Sequence, residues 1–380
     1  MEGNIRVVWQ GARPLIGTVI GVGIFALPYA FSRAGFGIGL AELILIGGLN
    51  MVALFLYADL ALARPGHDRF IAIAGRDLGP AGKLLAVITY FGSHLGALIA
   101  YVLVGGAFAH TVLAPFLGGS MLLYQILFWT GGSLCMFGGL NLVTKLQAYF
   151  VPLFFALITA LFLGALSFVN VTHLSAVHPE ASILPLGVVL FAFAGLSAIP
   201  EMRDVLGKNR DKLKQSILLG TLVAGALYAL FTFVIVGVTG ENTAPQAVDG
   251  LRVIAGPAVV IIGSVFGFLT VFSAYMAIGV SLIDTLLFDR KFRYVPAWGM
   301  VVFLPIAAIL FGAKDFVGVI GFTGGVMSSV LGMLLIISYE RARYSAELPK
   351  RALRMPQWLV ALSFFMFVAM FVLTLWNALA

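Results

Sequence analysis

Glycine residues crowd the first apolar stretch of the sequence, which ends in a proline. The stretch runs Gly17-Thr-Val-Ile-Gly-Val-Gly-Ile-Phe-Ala-Leu-Pro28, with glycines at positions 17, 21 and 23. A glycine inside a helix costs about 0.5–1 kcal/mol relative to alanine, and proline has no backbone N–H to donate. In a bilayer, backbone groups freed by such a break are tolerated only where they are buried or line a cavity. The stretch therefore predicts an interrupted membrane helix whose backbone forms a binding site.

A second stretch, Phe191-Ala-Phe-Ala-Gly-Leu-Ser-Ala-Ile-Pro-Glu201, repeats the spacing of the first. Gly195 precedes Pro200 by the same interval that separates Gly23 from Pro28, with small or apolar residues between. An interrupted helix exposes N–H groups that attract anions and carbonyl groups that attract cations. Two facing breaks can therefore bind a ligand that carries both a carboxylate and an ammonium. An α-amino acid is the simplest such ligand, and other small zwitterions fit the same description.

The composition excludes an ordinary soluble protein. Of 380 residues, 61% are hydrophobic and 10% are charged, whereas soluble domains carry about 25% charged residues. The one cysteine, Cys135, excludes a disulfide within the chain. The sequence has no phosphate-binding loop and no Cys/His cluster, which argues against ATP-driven transport, a metal centre and an enzyme. No cofactor is expected, and no cleavable signal peptide is evident.

Apolar segments of spanning length, about 17–25 residues or more, indicate eleven membrane spans. They lie at roughly 12–31, 37–62, 84–113, 121–140, 147–169, 183–203, 215–239, 254–287, 296–312, 316–338 and 356–378. If the N-terminus is cytoplasmic, only Arg33, Arg252 and Lys314 of the 23 Lys and Arg residues face outwards. The positive-inside rule therefore predicts a cytoplasmic N-terminus and an external C-terminus in the inner membrane. The net charge of +7 reflects this topology and does not indicate nucleic-acid binding.

The two breaks fall in spans 1 and 6, which indicates an internal repeat of five spans. Because five is odd, the second set crosses the membrane with opposite polarity. Interrupted helices at matching positions of inverted halves indicate a transporter site near the middle of the membrane. We therefore expect one all-α polytopic membrane domain over residues 1–380, with helices 1 and 6 unwound at mid-membrane. Its parts are a first repeat at about 11–169, a second at about 183–338, and an additional helix at about 356–378.

The same two stretches resemble a known family. Gly17–Pro28 is similar to the first-span signature of amino-acid permeases in the amino acid–polyamine–organocation superfamily. The resemblance is to the amino acid/auxin permeases and to the hydroxy- and aromatic-amino-acid permeases. Phe191 to Gly195 resembles the superfamily's aromatic-x-Phe-x-Gly pattern, and Ile199-Pro200 followed by Arg203 resembles the tyrosine and tryptophan permeases. The resemblance covers essentially the whole chain and implies a LeuT-type fold of eleven transmembrane helices and alternating access.

The resemblance implies that backbone groups of both breaks bind the substrate. Backbone N–H groups around Val22, Gly23 and Ile24 would hold the carboxylate. The ammonium would be held by backbone carbonyls of five residues: Thr18, Val19, Phe191, Ala192 and Ala194. Gly21 and Gly195 complete the two binding segments, and the hydroxyl of Tyr101 is a further candidate, although tyrosines in membrane spans are as often packing residues. The small residues Ala192 and Ala194 leave room for an aromatic or bulky neutral side chain.

Two versions of the coupling ion compete. The resemblance implies a sodium site between carbonyls of Gly17 and Ile20 and hydroxyls of Thr270 and Ser273. The family's sodium pattern has two adjacent hydroxyls, whereas Ser273 is followed by alanine, and an isolated hydroxyl more often bonds its own i−4 carbonyl. A proton would need a titratable group within the membrane, and His94 is the candidate. The sequence slightly favours protons.

The resemblance also implies gates on both sides of the substrate. Phe191 occupies the position of an aromatic lid that closes from outside. Arg13, Glu201 and Asp284 lie at the inner ends of spans 1, 6 and 8, where relatives close the inner gate with ion pairs.

The sequence therefore predicts a secondary active amino-acid transporter, driven by a proton or sodium gradient across the inner membrane and embedded in the lipid bilayer. One alternative is the same fold carrying a polyamine or a metal ion. A second is an uncoupled sensor or channel. The sequence shows no acidic residues in the breaks and no large soluble output domain, which disfavours both.

Overall fold

A computed structural model describes residues 2–63, 69–138, 156, 158–290, 292–345 and 355–379. Over these residues the secondary structure is helical, apart from one isolated bridge between Ala244 and Ala247. The α-helices are α1 (Glu2–Val19), α2 (Gly23–Ala34), α3 (Phe36–Ala63), α4 (Phe70–Leu117), α5 (Met121–Phe137), α6 (Ile158–Phe168), α7 (Ile183–Ala192), α8 (Ala198–Leu206), α9 (Leu213–Thr239), α10 (Arg252–Arg290), α11 (Tyr294–Leu310), α12 (Phe316–Phe322), α13 (Ser329–Tyr344) and α14 (Gln357–Leu379).

Shorter helical turns complete the secondary structure. A π-helix, Thr323–Ser328, joins α12 to α13. The 3-10 segments are Leu166–Phe168 at the end of α6, Val171–Leu174, Pro179–Ala181, Gly207–Lys212, Gly240–Asn242 and Val248–Leu251.

Most of the helices are suited to a bilayer. Six helical stretches of the described residues are long and apolar enough to cross a membrane, and the bent pair α1 and α2 makes a seventh. Four shorter apolar helices, α5, α6, α7 and α11, fall within other predicted spans. The start of the predicted fifth span, residues 147–155, lies outside the described residues. The chain is therefore an all-helical, polytopic membrane protein, while the count of eleven spans stays a prediction.

Both glycine-proline stretches interrupt a helix. α1 ends at Val19 and α2 begins at Gly23, with a bend of 63° between them. α7 ends at Ala192 and α8 begins at Ala198. Pro200 lies in the first turn of α8, where its missing N–H would have no intrahelical acceptor in any case. Proline is therefore compatible with the start of the second half-helix.

A second matched pair of irregularities lies at the start of predicted spans 3 and 8. Gly79 precedes Pro80 in α4 with φ 72° and ψ −166°. Gly256 precedes Pro257 in α10 with φ 82° and ψ 170°. Positive φ is readily adopted only by glycine, and proline disfavours a helical conformation in the residue before it. The same Gly-Pro-Ala sequence thus produces the same kink at corresponding places of the two predicted repeats.

The broken helices lie at the centre of the fold. α1 packs against α8 and α9, α2 packs against α7 and α9, and α4 runs along α10 and α13. A Cβ atom built on Gly23 would lie 2.9 Å from both Cα and Cβ of Ala192, so the two breaks are in direct backbone contact. This close approach brings both interruptions to one place.

Candidate functional site

A cavity lies between the two breaks. Its walls come from both breaks and from α3, α4, α10, α13 and α14. The lining residues are Thr18, Val19, Gly21, Val22, Gly23, Asn50, Ala53, Tyr90, Ser93, His94, Ala97, Tyr101, Leu190, Phe191, Ala194, Leu196, Ser197, Ile278, Ser328, Leu331, Gly332 and Phe367.

Most of the binding residues predicted from the sequence line this cavity. They are Thr18, Val19, Gly21, Val22, Gly23, Tyr101, Phe191 and Ala194, and His94 lines it as well. The other three do not form its surface. Ile24 is fully buried, Ala192 lies directly behind Gly23, and Gly195 packs towards Leu15 and Val19. The predicted set is therefore brought together, with three members in a supporting position.

The first break presents unpaired donors. Within the described part of the chain, the N–H groups of Val22, Gly23 and Ile24 have no hydrogen-bond acceptor. The first N–H groups of any helix lack an intrahelical partner, and their dipoles favour an anion. Gly21 lies beside Tyr101, whose hydroxyl oxygen is 2.8 Å from the position a Cβ would occupy. This group of donors can therefore bind a carboxylate without a charged side chain.

The second break is largely satisfied by the protein itself. The hydroxyl oxygen of Tyr228, buried on α9, lies within hydrogen-bond distance of the carbonyl oxygens of Val19 and, at 2.8 Å, of Ala192, and its single proton can be donated to one of them at a time. Asn50 Nδ2 donates to the carbonyl of Phe193 at 2.9 Å. Tyr228 thus connects the end of α1 to the end of α7. Sequence reasoning did not identify Tyr228 or Asn50, since both lie far from the breaks in the chain.

Only two of the five carbonyls assigned to the ammonium remain without a donor. The carbonyl of Phe191 accepts from Ala194 N–H at 3.0 Å, and those of Val19 and Ala192 face Tyr228. Among the residues described, the carbonyls of Thr18 and Ala194 accept no hydrogen bond. Both residues line the same cavity as Val22 and Gly23. These two carbonyls have both acceptor positions open, so they are the most available of the five for a cation.

His94 contributes a polar side chain to the same cavity. Its Nδ1 lies 2.8 Å from the carbonyl of Tyr90, one turn earlier on α4. The ring stacks on Tyr90 with centroids 4.1 Å apart and an angle of 31°. Nε2 is buried without a hydrogen-bond partner, and the residue is 9% exposed. Ser93 and Ser328, whose hydroxyl oxygens are 3.5 Å apart, line the cavity nearby.

The four residues of the predicted sodium site lie outside the cavity lining. Gly17 is exposed, with open space around the position of a Cβ. Thr270 is buried and donates to the carbonyl of Phe266, one turn earlier, at 2.8 Å. Ile20 donates back to the carbonyl of Ile16 in the last turn of the first half-helix, while Ser273 is half-buried. The hydroxyl of Thr270 therefore adopts the i−4 bond that is common in isolated helical threonines.

Aromatic rings surround the α2 side of the cavity. Phe191 lines it directly and is 9% exposed. Phe25, two residues beyond Gly23, packs its ring at 4.9 Å from Phe108, 5.8 Å from Phe231 and 5.7 Å from Phe266. These rings join α2 to α4, α9 and α10. The sequence reasoning missed this aromatic cluster around Phe25.

The inner gate residues are not paired with one another in this structure. Arg13 and Glu201 are exposed and Asp284 is half-buried, and over the described ranges no ion pair joins any two of them. Arg69, which precedes α4, donates to the carbonyl of Ser281 at 3.3 Å. Its guanidinium interacts electrostatically with both Glu201 and Asp284. Arg69 is thus a further inner-end cation, which the sequence reasoning had used only for topology.

A buried ion pair fastens α3 to α9 near this inner end. Lys214 Nζ lies 2.7 Å from Asp59 Oδ2, and the Asp59 side chain is 2% exposed. Arg203, 3% exposed, donates to the carbonyl of Ala61 at 3.2 Å. Removing one partner of a buried pair leaves an uncompensated charge, so these contacts hold the inner ends of α3, α8 and α9 together.

Comparisons with known proteins agree with this geometry. The profile of the tryptophan/tyrosine permease family matches residues 5–377. The chain is 23% identical over 361 residues to the tyrosine-specific transport system 1 of Haemophilus influenzae, covering 88% of both chains. It is also 23% identical to the tryptophan-specific transport protein of Pseudomonas aeruginosa, covering 89% of this chain and 87% of that protein.

Solved structures show the same architecture at low sequence identity. Mhp1, a nucleobase-cation-symport-1 family transporter in a closed conformation with bromovinylhydantoin bound, superposes with a TM-score of 0.69 and 16% identity. The match covers 98% of this chain and 90% of that chain. MhsT in complex with L-phenylalanine gives a TM-score of 0.65 at 13% identity, covering 96% and 98%. The helical fold is therefore of the LeuT type that was expected from the sequence.

Proposed function

We propose that this chain, which belongs to the tryptophan/tyrosine permease family, carries tyrosine, tryptophan or both by alternating access between its two broken helices. Family membership makes it an amino-acid transporter of the inner membrane rather than an enzyme. Tyrosine- and tryptophan-specific transporters among its relatives support an aromatic substrate. The prediction of an amino-acid permease from the sequence is thereby confirmed.

One observation carries the proposal. The cavity is lined by Val22 and Gly23, whose N–H groups have no acceptor among the described residues, and by Thr18 and Ala194, whose carbonyls accept no hydrogen bond there. A carboxylate is stabilised by helix-start N–H groups, and an ammonium donates to carbonyl oxygens. An α-amino acid matches both sets at once. Because the partners are backbone groups, they bind the part of the substrate that all amino acids share.

Side-chain recognition falls to the rest of the cavity. Its wall includes the rings of Tyr90, Phe191 and Phe367 together with apolar Ile278 and Leu331. Aromatic pairs in stacked or edge-to-face geometry are stabilised by about 0.5–1.5 kcal/mol beyond their burial. A cavity wall of this composition suits an aromatic substrate. The proposal therefore assigns the substrate's amino-acid group to the breaks and its ring to this wall.

The membrane arrangement belongs to the same proposal. It has eleven spans, the N-terminus inside and the C-terminus outside, with helices 1 and 6 unwound near mid-membrane. The repeats at about 11–169 and 183–338 are supported by the matched kinks at Gly79 and Gly256. The additional helix would be α14. Labelling single cysteines introduced at the two termini from each side of the membrane tests the orientation.

The gates follow from the same alternating motion. Phe191 would close the cavity from outside. Arg13, Glu201 and Asp284 would form the inner gate when α1 and α8 approach α10, and Arg69 would join them. Their separation in this structure, with Arg13 and Glu201 exposed, is what an open inner gate requires.

A cation gradient would drive uptake. Sodium would bind at Gly17, Ile20, Thr270 and Ser273, whereas a proton would use His94. The i−4 hydrogen bond of Thr270, which occupies a hydroxyl that the sodium site would need, and the position of His94 on the cavity wall support the proton.

The decisive experiment is uptake into proteoliposomes. Purified protein is reconstituted, and labelled tyrosine, tryptophan, phenylalanine, alanine and lysine are supplied with sodium and proton gradients imposed separately. We expect saturable uptake of the aromatic amino acids that follows one gradient, with protein-free liposomes as the control. No saturable uptake of any amino acid would refute the proposal. Polyamine or metal-ion uptake, or an ionic current without accumulation, would instead indicate one of the alternatives.

A further inference from the structure

His94 carries a buried hydrogen-bonding atom that nothing in the protein uses. Its Nδ1 lies 2.8 Å from the carbonyl oxygen of Tyr90. A carbonyl oxygen can only accept, so Nδ1 must carry the proton in this contact. In the neutral imidazole, Nε2 is then a hydrogen-bond acceptor with a free lone pair. Nε2 is buried, and the described residues supply no donor to it.

A buried acceptor without a hydrogen-bond donor costs free energy unless a ligand supplies the donor. Buried polar side-chain atoms are almost always hydrogen-bonded, and one left alone calls for an explanation. The ring of His94 forms part of the cavity wall, so a molecule that fills the cavity would lie against this ring. The residues around the cavity are mostly apolar or use backbone groups. Other polar side chains also line the wall, and among them Ser93 and Ser328 lie within reach of each other. His94 Nε2 differs because it is a buried acceptor without a partner among the described residues, so it can accept a hydrogen bond from the far end of a substrate.

The position along α4 matches the length of an aromatic amino acid. Tyr101 lies beside Gly21 of the first break. His94 is seven residues earlier on the same helix, which places it about 10 Å away along the axis. A carboxylate held at the first break thus leaves an aromatic side chain long enough to approach His94. Tyr90, which stacks on His94, and Phe367 line the same part of the cavity.

We infer that His94 Nε2 accepts a hydrogen bond from the phenol O–H of tyrosine or the indole N–H of tryptophan and so selects these substrates over phenylalanine. The inference rests on the proposed function and adds its specificity-determining residue. Tyrosine and tryptophan share one feature that phenylalanine lacks, a donor on the ring. A site with a buried acceptor discriminates against a substrate without the donor, because the acceptor then remains unpaired.

The first test changes only the substrate. Exchange of labelled phenylalanine is measured in proteoliposomes at equal pH and without ion gradients, and competitors are added. We expect tyrosine to compete about tenfold or more better than phenylalanine. Tryptophan should exceed its benzothiophene analogue, in which sulfur replaces the indole N–H, by a similar factor. Equal affinities within both pairs would overturn the inference.

The second test changes the acceptor. His94→Leu removes it while keeping an apolar side chain of similar size, and His94→Gln keeps an amide oxygen where Nε2 lies. We expect H94L to bring the tyrosine-to-phenylalanine ratio close to one, and the ratio is compared so that a change in the overall exchange rate does not affect the result. H94Q should retain part of the preference. An unchanged ratio in H94L would contradict the assignment.

The outcomes distinguish this inference from a failure of the proposed function, from a role of His94 in coupling and from misfolding of a variant. No exchange of any aromatic amino acid by the wild-type protein means that the proposed function itself fails. If both variants lose proton-driven accumulation of every substrate but keep the tyrosine-to-phenylalanine ratio, His94 acts in coupling and the inference is wrong. Should H94L fail to fold, the wild-type analogue pairs and H94Q decide, and a loss of all preference in H94Q contradicts the inference.

Discussion

The two breaks share one sequence pattern but differ in chemistry. The first break leaves Ile20 to Val22 between its half-helices and presents three N–H groups without acceptors. The second leaves Phe193 to Ser197, and the carbonyls of Ala192 and Phe193 already accept hydrogen bonds from Tyr228 and Asn50. The first break therefore presents hydrogen-bond donors that are free to bind a ligand. Most of the carbonyl acceptors of the second break are already hydrogen-bonded within the protein.

The difference follows from what surrounds each break. The first faces the cavity and the close backbone of Ala192, which supplies no acceptor in that direction. The second is flanked by α3 and α9, whose amide and phenol side chains reach its carbonyls. The same kind of helix interruption thus forms either a ligand-binding surface or a contact that holds helices together, depending on the helices packed against it. Four predictions test this contrast, from the largest expected effect to the smallest.

Substitution of Gly23 should be the most damaging change. A Cβ at Gly23 would lie 2.9 Å from Cα of Ala192, so Gly23→Ala pushes on backbone that cannot move aside. At Gly195 the nearest atom is the end of the flexible Leu15 side chain. We expect Gly23→Ala to lower aromatic amino-acid uptake at least about tenfold, for an overpacking cost of about 1–3 kcal/mol. Gly195→Ala should lower it by about threefold or less.

Gly48 offers a matched control for this pair. It lies inside α3 with open space where a Cβ would go, so Gly48→Ala should leave uptake unchanged. Equal losses at Gly23 and Gly195, with normal amounts of both proteins in the membrane, would remove the contrast between the breaks. Gly23→Val, which adds two further methyl groups, should abolish uptake.

Substrate analogues should reveal the two breaks separately. Tyramine lacks the carboxylate, and 3-(4-hydroxyphenyl)propionate lacks the ammonium. Because three free N–H groups face two free carbonyls, we expect loss of the carboxylate to weaken competition with labelled tyrosine more than loss of the ammonium. Each charge-assisted hydrogen bond contributes about 1.5–3 kcal/mol, so both analogues should bind at least about tenfold more weakly. Better competition by tyramine would reverse the assignment.

Loss of the Tyr228 hydroxyl should weaken the contact between the end of α1 and the end of α7. Tyr228→Phe leaves the carbonyls of Val19 and Ala192 buried without this donor, which costs about 1–3 kcal/mol. We expect a lower melting temperature in detergent and uptake reduced several-fold. Tyr124→Phe is the control, since its hydroxyl donates to the carbonyl of Gly118 at the outer end of α4, away from the cavity. Similar effects of both variants would argue against a special role for Tyr228.

Asn50 should have the mildest effect. Its amide donates to the carbonyl of Phe193, and Asn50→Leu replaces it with an apolar side chain of similar size. A single neutral hydrogen bond contributes about 0.5–1.5 kcal/mol. We therefore expect a small fall in melting temperature and a change in tyrosine affinity of about tenfold or less. If Asn50→Leu lowered the melting temperature more than Tyr228→Phe, Asn50 rather than Tyr228 would make the main stabilising contact at the second break.

Several features were predictable because they depend on local backbone chemistry. Glycine and proline weaken a helix wherever they stand, so both interruptions were visible in the sequence. The same reasoning would have found the kinks at Gly79 and Gly256, since Gly-Pro-Ala occurs at both. That signal was overlooked, although it marks the third span of each predicted repeat. Apolar length and the positions of basic residues indicated a membrane protein in the same way.

Other features needed the tertiary structure because their partners are far apart in sequence. Tyr228 lies 209 residues from Val19, and Asn50 lies 143 residues from Phe193. Arg69 and its acceptor Ser281 are separated by 212 residues. No local pattern shows which carbonyls such side chains will reach. Of the five carbonyls assigned to the ammonium, packing leaves those of Thr18 and Ala194 without a donor among the described residues, and the assignment itself stays a prediction.

The sequence by itself determined where the helices break, because glycine and proline act on the backbone at their own positions. It also determined the class of ligand, because freed N–H and carbonyl groups attract opposite charges. Only the tertiary structure decided which of these groups stay free, since that depends on the side chains that neighbouring helices bring to them. It likewise decided that His94 faces the cavity with Nε2 unpaired, because the rotation of α4 is set by its packing against α10 and α13.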